Sequence, residues 1–219
     1  AMGERHRNMK TQSLIEMLAK GAGPAPQTPV LRRLAPVEAL GRIASALFAL
    51  MSMGPIPAVM WATQAPWLKL MYGASLALAA GWLTARLSRP VARTQWPVRA
   101  VLAVFATMLV LGALTLVTSA PDQRMATLFG ETWLSCPTNV VALSLPALAG
   151  ALWALRGLAP TQLRAAGFNA GLMAGALGAM GYSLVCPEVS ATFVAIWYSL
   201  GVLLTGLLGA VLGPRLLRW

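Results

Sequence analysis

Residues 97–118 are PVRAVLAVFATMLVLGALTLVT, a stretch with a single charged residue, Arg99. A helix needs about 20 consecutive apolar residues to cross the hydrocarbon core of a bilayer. This stretch is long enough and apolar enough to do so. It therefore predicts a membrane-spanning helix, and it sets the class of fold for the chain around it.

Five other apolar segments accompany it along the chain, and the composition agrees with a membrane protein. Of the 219 residues, 58% are hydrophobic and 11% are charged, whereas a soluble domain has about 25% charged residues. We therefore predict an all-α membrane protein with six transmembrane helices. The predicted segments are 37–60, 67–87, 97–118, 138–155, 163–184 and 190–212.

The residues before the first segment are more polar than those that follow. We therefore divide the chain into a tail, residues 1–36, and a transmembrane domain, residues 37–219. Within the tail, residues 9–20 predict a short amphipathic helix, and a linker rich in glycine and proline follows it.

The predicted tail helix carries an apolar stripe. Leu14, Ile15 and Leu18 share one face, and Met17 lies at the border of that face. A helix this short is marginal by itself. The stripe therefore predicts either a groove on a partner protein or the surface of the inner leaflet as its binding surface.

The basic residues predict the orientation in the membrane. Of the 17 lysines and arginines, all but Lys69 and Arg124 flank the segments on one side. Basic residues concentrate in cytoplasmic loops, so we expect both termini in the cytoplasm. The outer loops are then 61–66, 119–136 and 186–189. The net charge of +11 follows from this flanking pattern, so we predict no direct nucleic-acid partner.

The chain has two cysteines, and both occur in a Leu-x-Cys-Pro motif, at Cys136 and Cys186, in the predicted outer loops. Three interpretations remain open: a structural disulfide, a reversible redox pair, and a soft-metal site. The further ligands of such a metal would be Glu131, Glu188 or Met125. The candidate cofactor is a soft metal ion at the cysteine pair, and the residues suggest no other.

Glycines recur on the last two segments. They include Gly167, Gly171 and Gly175 on the fifth segment and Gly209 and Gly213 on the sixth. Small residues let membrane helices approach closely, so we expect a packing seam between these two helices. The alternative is a seam that also slides during a conformational change.

The remaining polar residues argue against catalysis. One histidine and six carboxylates form no visible nucleophile–base pair or acid cluster, so we do not expect an enzyme. Few ionisable residues lie deep in the segments, which argues against a pump. A small transporter or metal-handling protein that uses the two thiols is the alternative function. The oligomeric state is not predicted.

Three stretches of the chain resemble a known family. They are residues 186–213, with Cys-Pro, Phe-Val-Ala-Ile-Trp-Tyr and Gly-Ala-Val-Leu-Gly; residues 131–136, Glu-Thr-Trp-x-x-Cys; and residues 9–11, Met-Lys-Thr. Together they resemble the NrsF family of bacterial inner-membrane anti-sigma factors.

The resemblance implies a six-helix inner-membrane protein that holds an extracytoplasmic-function sigma factor inactive through a short cytoplasmic N-terminal region. It also implies that Cys136 and Cys186 sense oxidants or heavy metals on the periplasmic side. Residues 9–20 and the following linker would then bind the sigma factor.

Overall fold

The computed structural model describes residues 11–18, 20, 29–88, 93–158 and 160–218, and every structural statement below concerns these residues. They form a helical bundle without a strand. The predicted all-α class is therefore confirmed.

Six long helices follow one another in the order of the six predicted segments. They are α1 Pro29–Met53, α2 Ala65–Leu87, α3 Gln95–Thr118, α4 Ser135–Arg156, α5 Leu163–Tyr182 and α6 Ala191–Leu216. Four of them, α1, α3, α4 and α6, contain stretches long and apolar enough to cross a membrane. The chain is accordingly a helical membrane protein. The count of six spans and the side on which the termini lie stay predictions.

Helix α1 differs from its predicted segment, 37–60, at both ends. It begins at Pro29, where a proline fits the first turn because that turn's N–H has no partner within the helix. It continues through Pro36 and ends at Met53. Gly54 then adopts a φ of +76°, which favours glycine. The chain turns there, ahead of the prolines that were expected to stop the helix.

Helix α5 is the centre of the bundle. It packs against α1, α2, α4 and α6, and residues 170–179 are all buried. Helix α5 runs antiparallel to α2, since Gly73 and Gly81 of α2 contact Met180 and Met173 of α5 respectively, and it runs parallel to α1. The bundle therefore has two ends. The thiol end carries both cysteines, and the arginine end carries most of the described arginines.

The glycines of α5 and α6 lie where these two helices touch. Gly167 meets the Gly209 backbone, and Gly213 packs beside Leu163. A Cβ added at Gly171 would lie 2.8 Å from the Gly206 Cα. These contacts are backbone to backbone, so any larger residue on the α5 side would force the helices apart.

We predict that Gly171→Ala lowers the melting temperature of the purified protein in detergent, whereas Gly206→Ala leaves it nearly unchanged. Both variants gain about 1 kcal/mol of helix propensity. The methyl group at position 171 meets backbone, and overpacking of this kind costs about 1–3 kcal/mol. At position 206 it meets the Leu172 and Phe168 side chains at 3.0 Å, and these can adjust. Equal melting temperatures for the two variants would contradict the backbone contact.

Candidate functional site

The two cysteines come together at the thiol end of the bundle. Cys136 lies in the first turn of α4, and Cys186 lies in the loop that follows α5. Both are free thiols with 0% exposure. The two thiols, the Lys69 ammonium and the Glu188 carboxylate lie within electrostatic range of one another. The fold therefore builds one buried, polar cluster from α2, α4 and the loop after α5.

Lys69 is the charged residue at the centre of this cluster. Its side chain is 1% exposed, and its Nζ donates a hydrogen bond of 2.8 Å to the carbonyl oxygen of Cys186. The same ammonium lies 5.9 Å from the ring centroid of Tyr198, a distance suited to a cation–π contact. From the sequence, Lys69 counts only as a charge on the predicted outer side. Its position within an apolar helix is the signal that would have singled it out, because ionisable residues in such helices are rare.

Two tyrosines form the wall of the cluster on the α5 and α6 side. The rings of Tyr182 and Tyr198 lie 5.6 Å apart. Tyr198 belongs to a π-helical turn of α6, Val194–Tyr198, a distortion found frequently at functional sites. Its hydroxyl is buried and interacts with the Cys186 thiol. Sequence periodicity cannot reveal such a turn.

The loop that carries Cys186, residues 183–190, is fastened to three other parts of the protein. The Ile56 N–H, just beyond the end of α1, donates to the Leu184 carbonyl at 3.1 Å. Lys69 of α2 binds the Cys186 carbonyl, as described above. Glu188 makes the third connection, to the residues that precede α4. Hydrogen bonds thus connect this loop to the residue beyond α1, to α2 and to the residues before α4.

Glu188 holds the residues before α4 through one oxygen. Its Oε1 accepts hydrogen bonds from the Glu131 N–H at 2.8 Å, the Thr132 N–H at 2.9 Å and the Thr132 hydroxyl at 2.9 Å. Because α4 begins three residues later and contains Cys136, this carboxylate joins the segments on which the two thiols lie.

A cap formed by residues 119–134 packs on the start of α6. The indole N–H of Trp197 donates to the Leu128 carbonyl at 2.9 Å. Ser190 donates to the Thr127 carbonyl at 2.8 Å, and the rings of Trp133 and Trp197 lie 5.3 Å apart. The cap is therefore joined to α6 and to the Cys186 loop.

The three residues predicted as additional metal ligands differ in their exposure and in their hydrogen-bond partners. Glu188 is engaged with backbone and hydroxyl donors, Glu131 is exposed, and Met125 is exposed on the short helix Arg124–Phe129. Among the described residues, no group of three His, Cys, Asp or Glu side chains is arranged to hold a metal ion. Their role as ligands stays a prediction.

The tail helix lies outside the bundle core. The structure has a helix over residues 11–18, within the predicted range of 9–20, whose first two residues lie outside the described part. Leu14, Ile15, Met17 and Leu18 are between 54% and 66% exposed. The whole predicted apolar stripe is therefore available to a partner. The linker at 21–28 also lies outside the described residues.

The chain is similar to one known protein family over nearly its whole length. Residues 18–219 match the family NrsF, described as negative regulator of sigma F. Anti-sigma-F factor NrsF of Caulobacter vibrioides (strain NA1000 / CB15N) is 43% identical over 217 residues, which cover 96% of this chain and 100% of that protein. Probable anti-sigma-F factor NrsF of Azospira oryzae is 40% identical over 213 residues, with the same coverage. No solved structure matches the chain.

We predict that Glu188→Ala speeds alkylation of Cys136 and Cys186 by a small maleimide about tenfold. The variant removes hydrogen bonds to a partly exposed carboxylate, where water replaces much of what they contribute; a net loss equal to one such bond, about 1.5 kcal/mol, corresponds to a tenfold change in rate. The variant thereby frees the segments beside the thiols. Glu131→Ala is the matched control, because it removes a neighbouring carboxylate and keeps the backbone N–H that Glu188 binds. Equal alkylation rates in the two variants would show that Glu188 does not close the site.

Proposed function

This chain belongs to the NrsF family of negative regulators of sigma F, and on that premise we propose that it is a membrane-bound anti-sigma factor of the bacterial inner membrane. It holds an extracytoplasmic-function sigma factor inactive through its tail helix and is a regulator rather than an enzyme. It releases the sigma factor when Cys136 and Cys186 react with an oxidant or a soft heavy metal on the periplasmic side.

The exposed apolar stripe of the tail helix is the observation that supports sigma binding most directly. Four large apolar side chains project from a helix of two turns without burial against the bundle. A groove on the sigma factor would bury them, as in other helix-in-groove complexes. Such burial contributes about 1.5–3 kcal/mol for each side chain, so the stripe can supply a large part of the binding free energy.

The cysteine cluster supports the sensing role. In oxidation, the Cys136 and Cys186 thiols form one S–S bond, release two protons, and pass two electrons to the oxidant. In metal capture, the two thiols lose their protons and bind a soft cation such as Cd²⁺ as thiolates. Because both thiols are buried, either reaction requires the surrounding loop and cap to rearrange. The reaction is thereby coupled to a change of conformation.

Helix α5 and helix α1 offer the route from the thiols to the tail. The Cys186 loop is bonded to the residue beyond the end of α1, and Gly181 of α5 packs against Ser45 of α1. The opposite end of α1 leads into the tail. A change in the loop would shift α5 and α6 relative to each other along their glycine seam, and the contact of Gly181 with Ser45 would pass the shift to α1. Signal transfer of this kind needs a conformational equilibrium that both sites bias.

We predict that the double variant Leu14→Ser/Leu18→Ser weakens binding of sigma F from the same organism at least 30-fold, measured by surface plasmon resonance with the protein in nanodiscs. Two buried leucines contribute about 3 kcal/mol or more. The matched control, Glu16→Ser/Lys20→Ser, changes the polar positions of the same segment and should bind nearly as well as the parent. If both double variants bind like the parent, the stripe contacts the bilayer instead of the sigma factor.

We predict that Cys136→Ser/Cys186→Ser abolishes the response in cells that carry a sigma F-dependent reporter. Repression in unstressed cells should persist, because the tail is unchanged, while peroxide and cadmium should no longer induce the reporter. Met51→Leu is the control, since it removes an exposed thioether of α1 outside the cysteine cluster and keeps both thiols. Full induction in the double serine variant would contradict thiol sensing.

A further inference from the structure

A basic groove opens at the arginine end of the bundle, between the start of α1 and the end of α4. It has a volume of about 710 Å³. Three arginines line it, Arg32 and Arg33 from α1 and Arg156 from α4. It lies at the opposite end of the bundle from the thiols.

The walls of the groove are apolar. Val37 and Leu40 of α1 lie on one side, and the strongly exposed Trp153 of α4 lies on the other. Tryptophans are enriched where a membrane protein meets the headgroup region of the bilayer. The groove therefore combines a cationic mouth with a wall suited to hydrocarbon.

The cationic mouth has no carboxylate of its own. None of the residues lining the groove is acidic. The acidic residue nearest to them along α1 is Glu38, which faces α2, since a Cβ added at Gly81 would lie 2.9 Å from its Oε1. Within the described residues, the groove therefore offers three guanidinium groups whose charge the protein does not neutralise.

We propose that this groove binds an anionic phospholipid. Its phosphate lies among the guanidinium groups of Arg32, Arg33 and Arg156, and its acyl chains lie along the apolar wall. Arginine pairs well with phosphate because its planar guanidinium donates two parallel hydrogen bonds, and basic pockets between membrane helices are known to bind acidic headgroups. The lipid would anchor the beginning of α1, directly after the tail. This inference does not depend on the identity of the tail's partner.

The test uses native mass spectrometry of the full-length protein in detergent, titrated with phosphatidylglycerol or with phosphatidylcholine of the same acyl chains. The parent protein should bind phosphatidylglycerol in preference. Each arginine near an acidic headgroup contributes about fivefold in affinity. Arg33→Gln/Arg156→Gln should therefore weaken phosphatidylglycerol binding about 30-fold. Arg86→Gln/Arg93→Gln removes the same charge from exposed positions outside the groove lining and should change it less than threefold.

Gly157→Ala tests the geometry without changing the charge. The Arg33 guanidinium lies directly over Gly157, so an added methyl group must displace it. Since only the end of a flexible side chain has to move, the variant should fold normally. We expect phosphatidylglycerol to bind several-fold more weakly, and this variant decides the question if the double variant fails to fold.

Four outcomes would overturn the proposal. The first is equal binding of the two lipids by the parent. The second is an equal loss of lipid binding in the groove variant and the charge control. The third is displacement of the lipid by an equal concentration of soluble glycerol phosphate, which would show a phosphate site without a lipid requirement. The fourth is unchanged lipid binding with loss of sigma F binding in Arg33→Gln/Arg156→Gln, which would make the groove a protein-binding surface.

Discussion

The close packing of α5 against its neighbours is the constraint on which the rest of the structure depends. Residues 170–179 of this helix are all buried, and its glycines bring it into backbone contact with α6 and close to α1, α2 and α4. Lipid does not drive helices together as water does, so van der Waals contact and small residues carry the association. Because α5 touches four helices, its end fixes the position of the loop that contains Cys186.

The loop after α5 connects the packed helices to the cysteine cluster through three sets of polar contacts. Its carbonyl at Cys186 binds a buried ammonium, its carbonyl at Leu184 binds the chain beyond α1, and Glu188 binds the residues before α4. A buried charge is costly unless polar groups compensate it. The Lys69 ammonium is therefore tied to the local arrangement of the loop, and any reaction of the thiols that moves the Cys186 carbonyl disturbs it. The polar contacts of the loop thus hold the cluster around the two free thiols in one arrangement.

The proposed lipid site would act at the other end of the same bundle. Arg32 and Arg33 begin α1, and Arg156 ends α4, so a bound phosphate would fasten two helices where the tail leaves the membrane. The thiol end and the arginine end would then both act on α1. A firm anchor at its beginning would limit how α1 can respond to a shift at its other end.

The sequence allowed some of this to be predicted and not the rest, for physical reasons. Apolar runs as long as 97–118 specify helices locally, and four-residue glycine spacing specifies a close helix contact, so the order of the helices and the positions of the glycines were open to prediction. The extension of α1 to Pro29 was not, because Pro36 is tolerated inside it. The hydrogen bonds that Glu188 accepts and the burial of Lys69 depend on which distant segments meet, and no local pattern records that.

Control of the tail by the thiols is tested most directly by the affinity of sigma F for the full-length protein in nanodiscs. The affinity is measured once with the thiols reduced and once with the Cys136–Cys186 disulfide formed and verified by mass spectrometry. Coupling between distant sites typically changes affinity about 5-fold to 150-fold. We expect sigma F to bind the oxidised protein more weakly by a factor in this range, and we expect oxidant to have no effect on the double serine variant. Equal affinities for the reduced and oxidised protein would contradict the claim that the thiols control the tail.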